Sequence, residues 1–566
     1  MGKLTKRILC FLLLVVLAFS AVSCGEDTED SEQATLYIYS FTSGFGTEWL
    51  TSLIADYEKA HADDIIEGKS KPGIKVKPTT LKSDVAGSQM LGNNEVVYFL
   101  EQKDYYELLD GGYVADITSA ITSPNPYDAD GATLESKMFA DQKSYLGRTV
   151  NGQTRYYAYP HYFTSFGITY NVELFDKKGY YFAEGYNPNG SLEDMFIGSE
   201  GVEYGYEKTA GPDCEPGTYD DGLPTTYDEF FLLCDYIATV GNDNPLVWSG
   251  QYRESYLTHF INALATDYEG YAQMRLNYTF DGDATSLGKI VSGKFVKDAK
   301  STTIDGTNGA ELARQAGKFY AMEFYQKLFA KSYIYNENNK QTLYSGSYSH
   351  WNAQEDFLIK SQRSNAMLLD GSWWNAEAQS QSTFENTATS ESDTRENRKL
   401  AYMPLPKYDS SRVDGSQTMF DLMYPLLMVK NGLDTDSWQY KYALDFIQFA
   451  NSNEQLAKFT QITGATKALN YTLGKNDYAK LSYYGKTYYD AYQKADKVFP
   501  YDNNLLFANN QSKFNEIVGA DGSPLYKSTA YNTTFIKSVE NGATAANYFA
   551  GVYDYFKALD IWKKAK

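Results

Sequence analysis

Leu36-Tyr37-Ile38-Tyr39, then Thr42-Ser43-Gly44-Phe45-Gly46, then Leu50, Leu53, Ile54 and Tyr57: residues 36 to 57 decide how the chain is read. The first four form a run of β-favouring residues with no polar break, which suits a strand buried on both faces. A turn rich in glycine follows, and Thr47 stands where it can cap a helix. The four apolar residues after it sit at the spacing of one helical face. Ile74 and Val76 alternate with Lys75 and Lys77 as in a half-buried second strand, and Glu95 to Leu100 forms a third apolar run. Strand, helix, strand at these lengths makes a βαβ unit with a parallel sheet. In such sheets ligands bind beyond the carboxyl ends of the strands, which places the expected site at the turn from Ser43 to Glu48.

The alternation continues outward from this unit. Thr226-Tyr227-Asp228-Glu229 reads as a capping box opening a helix with Phe230, Cys234 and Ile237 inward. Leu312, Ala316, Phe319, Tyr320, Phe324 and Leu328 mark a long amphipathic helix. Residues 365 to 370, 399 to 406 and 422 to 430 are strand-like, and helices follow around Ala443 to Ala450 and from Ser452 onward. The class is α/β. Two stretches interrupt it, an acid- and glycine-rich one from Glu184 to Gly222 and a Ser/Thr/Asn/Glu tract from Ala378 to Arg398, and both are expected as surface insertions or loops.

Lys3, Lys6 and Arg7 precede an apolar run from Ile8 to Phe19, the layout of an export signal covering residues 1 to 23. The run is shorter than the roughly 20 residues needed to span a bilayer. Ala21-Val22-Ser23-Cys24 resembles a bacterial lipobox, which implies a lipid, palmitate included, on Cys24 and anchoring to the outer face of the cell membrane. Residues 24 to 33 carry five carboxylates and no large apolar side chain, so they are expected to form a self-repelling tether. The remainder, over 500 residues, exceeds one hydrophobic core and suits two or three lobes.

The chain is 43% apolar and 22% charged, with net charge −21, a globular composition that argues against a nucleic-acid partner. Cys214 and Cys234 are either a pair or, for Cys234, a small buried thiol on an apolar helical face. His61, His161, His259 and His350 have no zinc spacing with one another or with cysteine, and Asp128-Ala129-Asp130-Gly131 lacks the closing glutamate of a calcium loop and reads as a turn. No metal and no cofactor is expected. Tyrosine numbers 51 against 31 phenylalanines, and its apolar ring with a polar tip can cover a sugar face, although most of the 51 are expected to serve packing.

The order of elements is similar to that of the extracellular solute-binding proteins of ABC importers, family 1, the maltose-binding-protein-like carbohydrate type. The motifs are the strand-loop-helix from Leu36 to Tyr57; Asp104 to Leu109 with Gly111 to Ile117; Tyr157-Ala158-Tyr159-Pro160 with Gly167 to Asn171 and Leu174-Phe175; Pro224 to Phe230; Ala366 to Trp373; Ala443 to Asn453; and Thr463 to Ala468. A proline usual near Lys467 is absent. The resemblance implies a periplasmic-binding-protein-like fold of type II, two α/β lobes joined by a multi-strand hinge. Lobe one would be 34 to 165 plus 407 to 468 and lobe two 166 to 406 plus 469 to 566. It further implies a monomer that captures a sugar or oligosaccharide by lobe closure and delivers it to ABC permease subunits, with no chemistry of its own.

Sugars present flat C–H faces ringed by hydroxyls, so the expected contacts are aromatic plates and planar polar groups on cleft loops. The first loop offers Ser43, Phe45, Glu48 and Trp49, the last being equally suited to helix packing. His161 and Tyr162 lie at the first crossing, where a structural histidine is the alternative. Trp248, Gln251, Tyr252 and Arg253 combine aromatic and polar tips in one loop. Gly371-Ser372-Trp373-Trp374 is expected to turn at least one tryptophan, by motif position Trp373, toward the cleft. Asp370 and Asp421 are either hydroxyl acceptors or caps. The alternatives are an oligopeptide or other solute on the same fold, a glycan-active enzyme, for which no carboxylate pair stands out, and an all-helical glycan-capture lipoprotein, which the strand runs oppose.

Overall fold

The computed structural model describes residues 32–42, 44–101, 105–334, 342–510 and 527–563; the signal segment, Cys24, most of the acidic tether, Ser43 and Asp104 lie outside the described residues. Two sheets organise the chain. The first runs in the order Ile74–Leu81, Ala34–Phe41, Val97–Leu100, Leu426–Val429, Ala158–Pro160. Its first three strands are parallel, with Ala34 opposite Ile74 and Ile38 opposite Val97. Leu426–Val429 is antiparallel to both its neighbours, Leu427 facing Phe99 on one side and Tyr159 on the other. The second sheet runs Leu400–Met403, Phe166–Asn171, Asn365–Gly371, Asn244–Val247, with Leu368 opposite Thr169 and Val247.

Local chemistry explains the elements. Leu36 and Ile38 are wholly buried because the central strand has cover on both faces, whereas Ile74 and Val76 are buried and Lys75 and Lys77 exposed, as suits an edge strand. The helix Glu48–Ala60 buries Trp49, Leu50, Leu53 and Tyr57. Thr47 occupies its N-cap position, yet the side chain makes no capping bond. Thr226 and Glu229 do form a reciprocal capping box on the helix Tyr227–Thr239, which buries Cys234. Cys234 and the exposed Cys214 are both free thiols. The turn at Asp128 is closed by Gly131 N–H on the Asp128 carbonyl, and the buried Asp128 carboxylate is 2.7 Å from Lys137 Nζ.

The chain passes from the first sheet to the second through five residues, His161 to Ser165, between Ala158–Pro160 and Phe166–Asn171. It returns between Leu400–Met403 and Leu426–Val429, and Lys467 bridges back to Tyr162. These connections lie side by side under the gap between the sheets. The strand expected over 422 to 430 is only Leu426–Val429, because Leu422 N–H turns aside to the Thr164 carbonyl and Tyr424 takes φ 35°. The tract from Ala378 to Arg398 is more ordered than a loop. It takes in the end of helix Trp374–Ser380 and all of helix Thr383–Thr387, and its two arginines are buried, Arg398 bonded to the Leu358 carbonyl and Arg395 to Asn375 Oδ1. Residues 184 to 222 include the helix Gly198–Tyr204 and pin Phe196 face to face on Tyr236 at 4.2 Å. A helix absent from the sequence reading, Arg253–Thr279, breaks once at Gly270, where φ is 72°; its first part is buried on nearly every side, polar Thr258, Asn262, Thr266 and Asp267 included, so apolar residues mark no single face to read.

Candidate functional site

A cavity of about 460 Å3 opens between the two sheets, within the range of small-molecule sites. The first sheet contributes the residues that leave the carboxyl ends of its three parallel strands: Phe41, Thr42, Gly44 and Phe45 after the first, Lys82 after the second, Glu101 after the third. This is where an open parallel sheet leaves room, since the strands end and the helices have not yet begun. The second sheet answers with Tyr252, Tyr256 and His259 at the start of the long helix, His350, and then Trp373 and Glu377 after the strand Asn365–Gly371. Thr164, Leu422 and Met423 floor the space.

The wall on the second sheet is a continuous polar chain behind an aromatic surface. The Tyr256 hydroxyl lies beside Trp373 and Asp370, and its pKa is driven up by burial and by the carboxylates of Asp370 and Glu377. Asp370 accepts from Gly371 N–H at 2.7 Å and from Gln354 Nε2 at 3.1 Å, and the same Nε2 donates to Glu377 Oε2 at 2.8 Å. Glu377 Oε1 lies 3.2 Å from His350 Nε2. Burial, with the neighbouring negative charge of Glu377, lifts Asp370 to about 7. Burial pulls the His350 imidazole down, but the bond and charge of Glu377 outweigh it and the net shift is upward. Trp373 itself is half-buried, and a side chain on Gly44 would put a Cβ 2.3 Å from its Cδ1, so the two sheets' loops touch here.

The floor is differently made. His161 and Lys467 are both buried, their nitrogens 2.6 Å apart, in a box formed by Trp49, Phe99, Tyr162 and Phe459. Burial holds Lys467 far below the ordinary range, and burial together with Lys467 does the same to His161. Asp421, with no exposed surface, accepts from Thr164 N–H at 3.1 Å and Thr164 Oγ1 at 2.9 Å; burial raises it to about 7.

Of the residues singled out from sequence, the structure brings Phe45, Tyr252 and Trp373 to the cavity. Asp370 stands one layer behind the wall. Trp49 packs in the aromatic box with Nε1–H on the Gly46 carbonyl at 3.2 Å, and Tyr162 donates to Glu101 Oε1 at 2.7 Å. His161 and Asp421 belong to the floor's interior, tied by the crossings rather than open to the cavity. Trp248 is fully buried with its N–H on the Leu343 carbonyl, and Trp374 is core, edge-on to Phe357 and Tyr484. Arg253 pairs with Glu540 at 2.9 Å, Gln251 is exposed with its N–H on the Tyr348 carbonyl, and Glu48 is exposed on the first helical turn; none of the three lines the cavity. Lys82, Glu101, Tyr256, His350 and Glu377 were not foreseen. Lys82 and Glu101 follow strand ends, the rule that pointed to Phe45, and Glu377 lies four residues after Trp373, one helical turn along the same face.

Among the described residues no group of three His, Cys, Asp or Glu is placed to hold a metal ion, and no helix is long and apolar enough to cross a membrane. A scan against protein-family models and a search of curated proteins give no match. Solved structures do share the fold. One is a chitin oligosaccharide binding protein, 12% identical, with 94% of this chain and 100% of that chain covered at a TM-score of 0.52. Another is maltose-bound MalE3 of T. maritima, 14% identical, 92% and 99% covered, TM-score 0.50. The likeness establishes a periplasmic-binding-protein-like fold of type II over nearly the whole chain.

Proposed function

We propose that this chain is an exported, lipid-anchored receptor that captures a neutral sugar or oligosaccharide between two closing lobes and passes it to an ABC permease without altering it. The cavity carries this reading. It joins aromatic rings, Trp373, Tyr252, Tyr256 and Phe45, to polar groups of balanced charge, Lys82 and His350 against Glu101 and Glu377. Rings stack on the C–H faces of a sugar while carboxylate, imidazole and hydroxyl groups meet its rim, and balanced charge favours a guest with none of its own. Two proteins of the same fold are a chitin oligosaccharide binding protein and a MalE3 bound to maltose, which supports the ligand class. The lobes are taken as 34 to 165 with 407 to 468, and 166 to 406 with 469 to 566. Closure would bend the crossings at 161 to 165, 404 to 425 and 468 to 471, ligand contacts from both lobes favouring the closed state. A lipid on Cys24 and the acidic tether would hold the body near the membrane.

Isothermal titration of the purified mature chain against maltotriose, chitotriose and a mixed peptide panel tests the reading. Saturable heat with a neutral glycan, the glycan recovered intact, is expected. Heat with peptides alone, or consumption of the glycan, overturns it. Cys24→Ala is expected to move the protein from the membrane fraction to the medium.

A further inference from the structure

Glu377 is half-buried in the cavity wall, and each of its oxygens has only one partner behind it, His350 for Oε1 and Gln354 for Oε2. An ionised carboxylate has about four acceptor sites, so two remain, both on a group that lines the cavity. His350 has its Nε2 spent on Glu377, while its Nδ1 is buried with no hydrogen-bond partner, and its ring also lines the cavity. Buried polar atoms are ordinarily satisfied, and those left open toward a cavity define what should enter it.

Resting on the carbohydrate reading above, we propose that Glu377 and His350 form the selective pair of the site. Glu377 accepts hydrogen bonds from two adjacent hydroxyls, a vicinal diol, and His350 donates from Nδ1 to an ether oxygen of the ligand, in the ring or the glycosidic link. Gln354, bonded to both Glu377 and Asp370, is the positioning residue that fixes the carboxylate. A peptide lacks paired O–H donors at this spacing, so the pair selects polyols over peptides.

The pair also makes affinity depend on pH. With Nε2–H given to Glu377, Nδ1 is a donor only in the imidazolium form; in neutral imidazole it becomes an acceptor, and its bond to the ligand's ether oxygen, which has no hydrogen to give, is lost. Glu377 shifts the His350 equilibrium upward, so the donor is present below the raised pKa and disappears as pH climbs through it. The other ionisable groups facing the pair are Asp370 from the strand behind, lifted by burial and when ionised reinforcing the imidazolium, Lys82 from the opposite sheet, which opposes it, and Tyr252 and Tyr256 from the start of the long helix.

Two measurements on the mature protein decide this. The His350 ring protons, followed by NMR titration without ligand, are expected to titrate at lower pH in Glu377→Gln than in the unaltered protein; an unchanged titration overturns the pairing. Calorimetry with maltotriose and chitotriose at pH 6 and pH 9 is expected to show wild-type affinity falling about tenfold or more with rising pH, the size of one charge-assisted hydrogen bond. His350→Gln should bind equally at both values, and Glu377→Gln should bind at least tenfold more weakly at pH 6. Glycan binding that keeps its pH profile in His350→Gln, or its strength in Glu377→Gln, overturns the proposal and leaves the carbohydrate reading standing. No glycan binding to wild type, with the NMR coupling intact, overturns the carbohydrate reading and the assigned ligand together.

Discussion

The floor and the wall of the cavity contain the same kinds of side chain and put them to opposite uses. On the floor a tryptophan, a histidine and an ionisable partner, Trp49, His161 and Lys467, are turned inward and packed on one another, and burial drives both basic groups toward neutrality. On the wall Trp373, His350 and Glu377 border open space, and the histidine is drawn toward its charged form instead. Residue type therefore says little about role here. What differs is whether the remaining valences point into packed protein or into a cavity.

The largest expected effect separates stability from binding. Trp49→Ala removes a buried ring in contact with Phe99, His161 and Phe459 and is expected to cost ~3 to 5 kcal/mol in chemical denaturation, with glycan affinity of the folded fraction almost unchanged. Trp373→Ala reverses the pattern: the half-buried ring contributes modestly to stability, but its loss should weaken binding by ~2 kcal/mol, about thirtyfold. Equal effects of both substitutions on affinity would erase the distinction between floor and wall.

The next test concerns charge. A lysine whose folded pKa lies below its unfolded value binds fewer protons when folded, so it adds stability as pH rises between those two values. Lys467→Met should therefore flatten the rise in unfolding free energy that wild type shows on the alkaline side of neutrality, up to the ordinary lysine range. Asp421 has the contrary sign: lifted to about 7, it holds its proton better in the folded state, so stability falls as pH rises from about 4 to 7, and Asp421→Asn should remove that fall. The smallest effect is at the rim. Tyr252, 44% exposed, stacks at 6.1 Å on Tyr256, and Tyr252→Ala should weaken binding by no more than ~1 kcal/mol, a few-fold in titration calorimetry.

The sequence carried the framework well where local rules coincide. Leu36 to Tyr57 shows a buried strand, a glycine turn and a helical face in succession, and all three are present, as is the capping box at Thr226 and Glu229. Cavity-lining residues were legible where a strand end announced them, as with Phe45, where a motif did, as with Trp373, and in one loop, as with Tyr252. Trp248 in that same loop misled because a tryptophan beside polar residues looks the same whether its N–H meets a carbonyl from residue 343 or a ligand. Glu377 and His350 come together across a 27-residue separation that no local periodicity records. Long-range pairing of this kind is decided by tertiary packing alone.

The close approach of Gly44 to the indole of Trp373 has an optical consequence. The ring sits where the loops of the two sheets meet, so under the proposed closure its emission should change, while Trp248 and Trp374 are sealed in the interior and should stay constant. On the proposed lobe closure the molecule would carry its own fluorescent gauge of occupancy, readable without any attached dye, and a methyl group added at residue 44 would jam the needle.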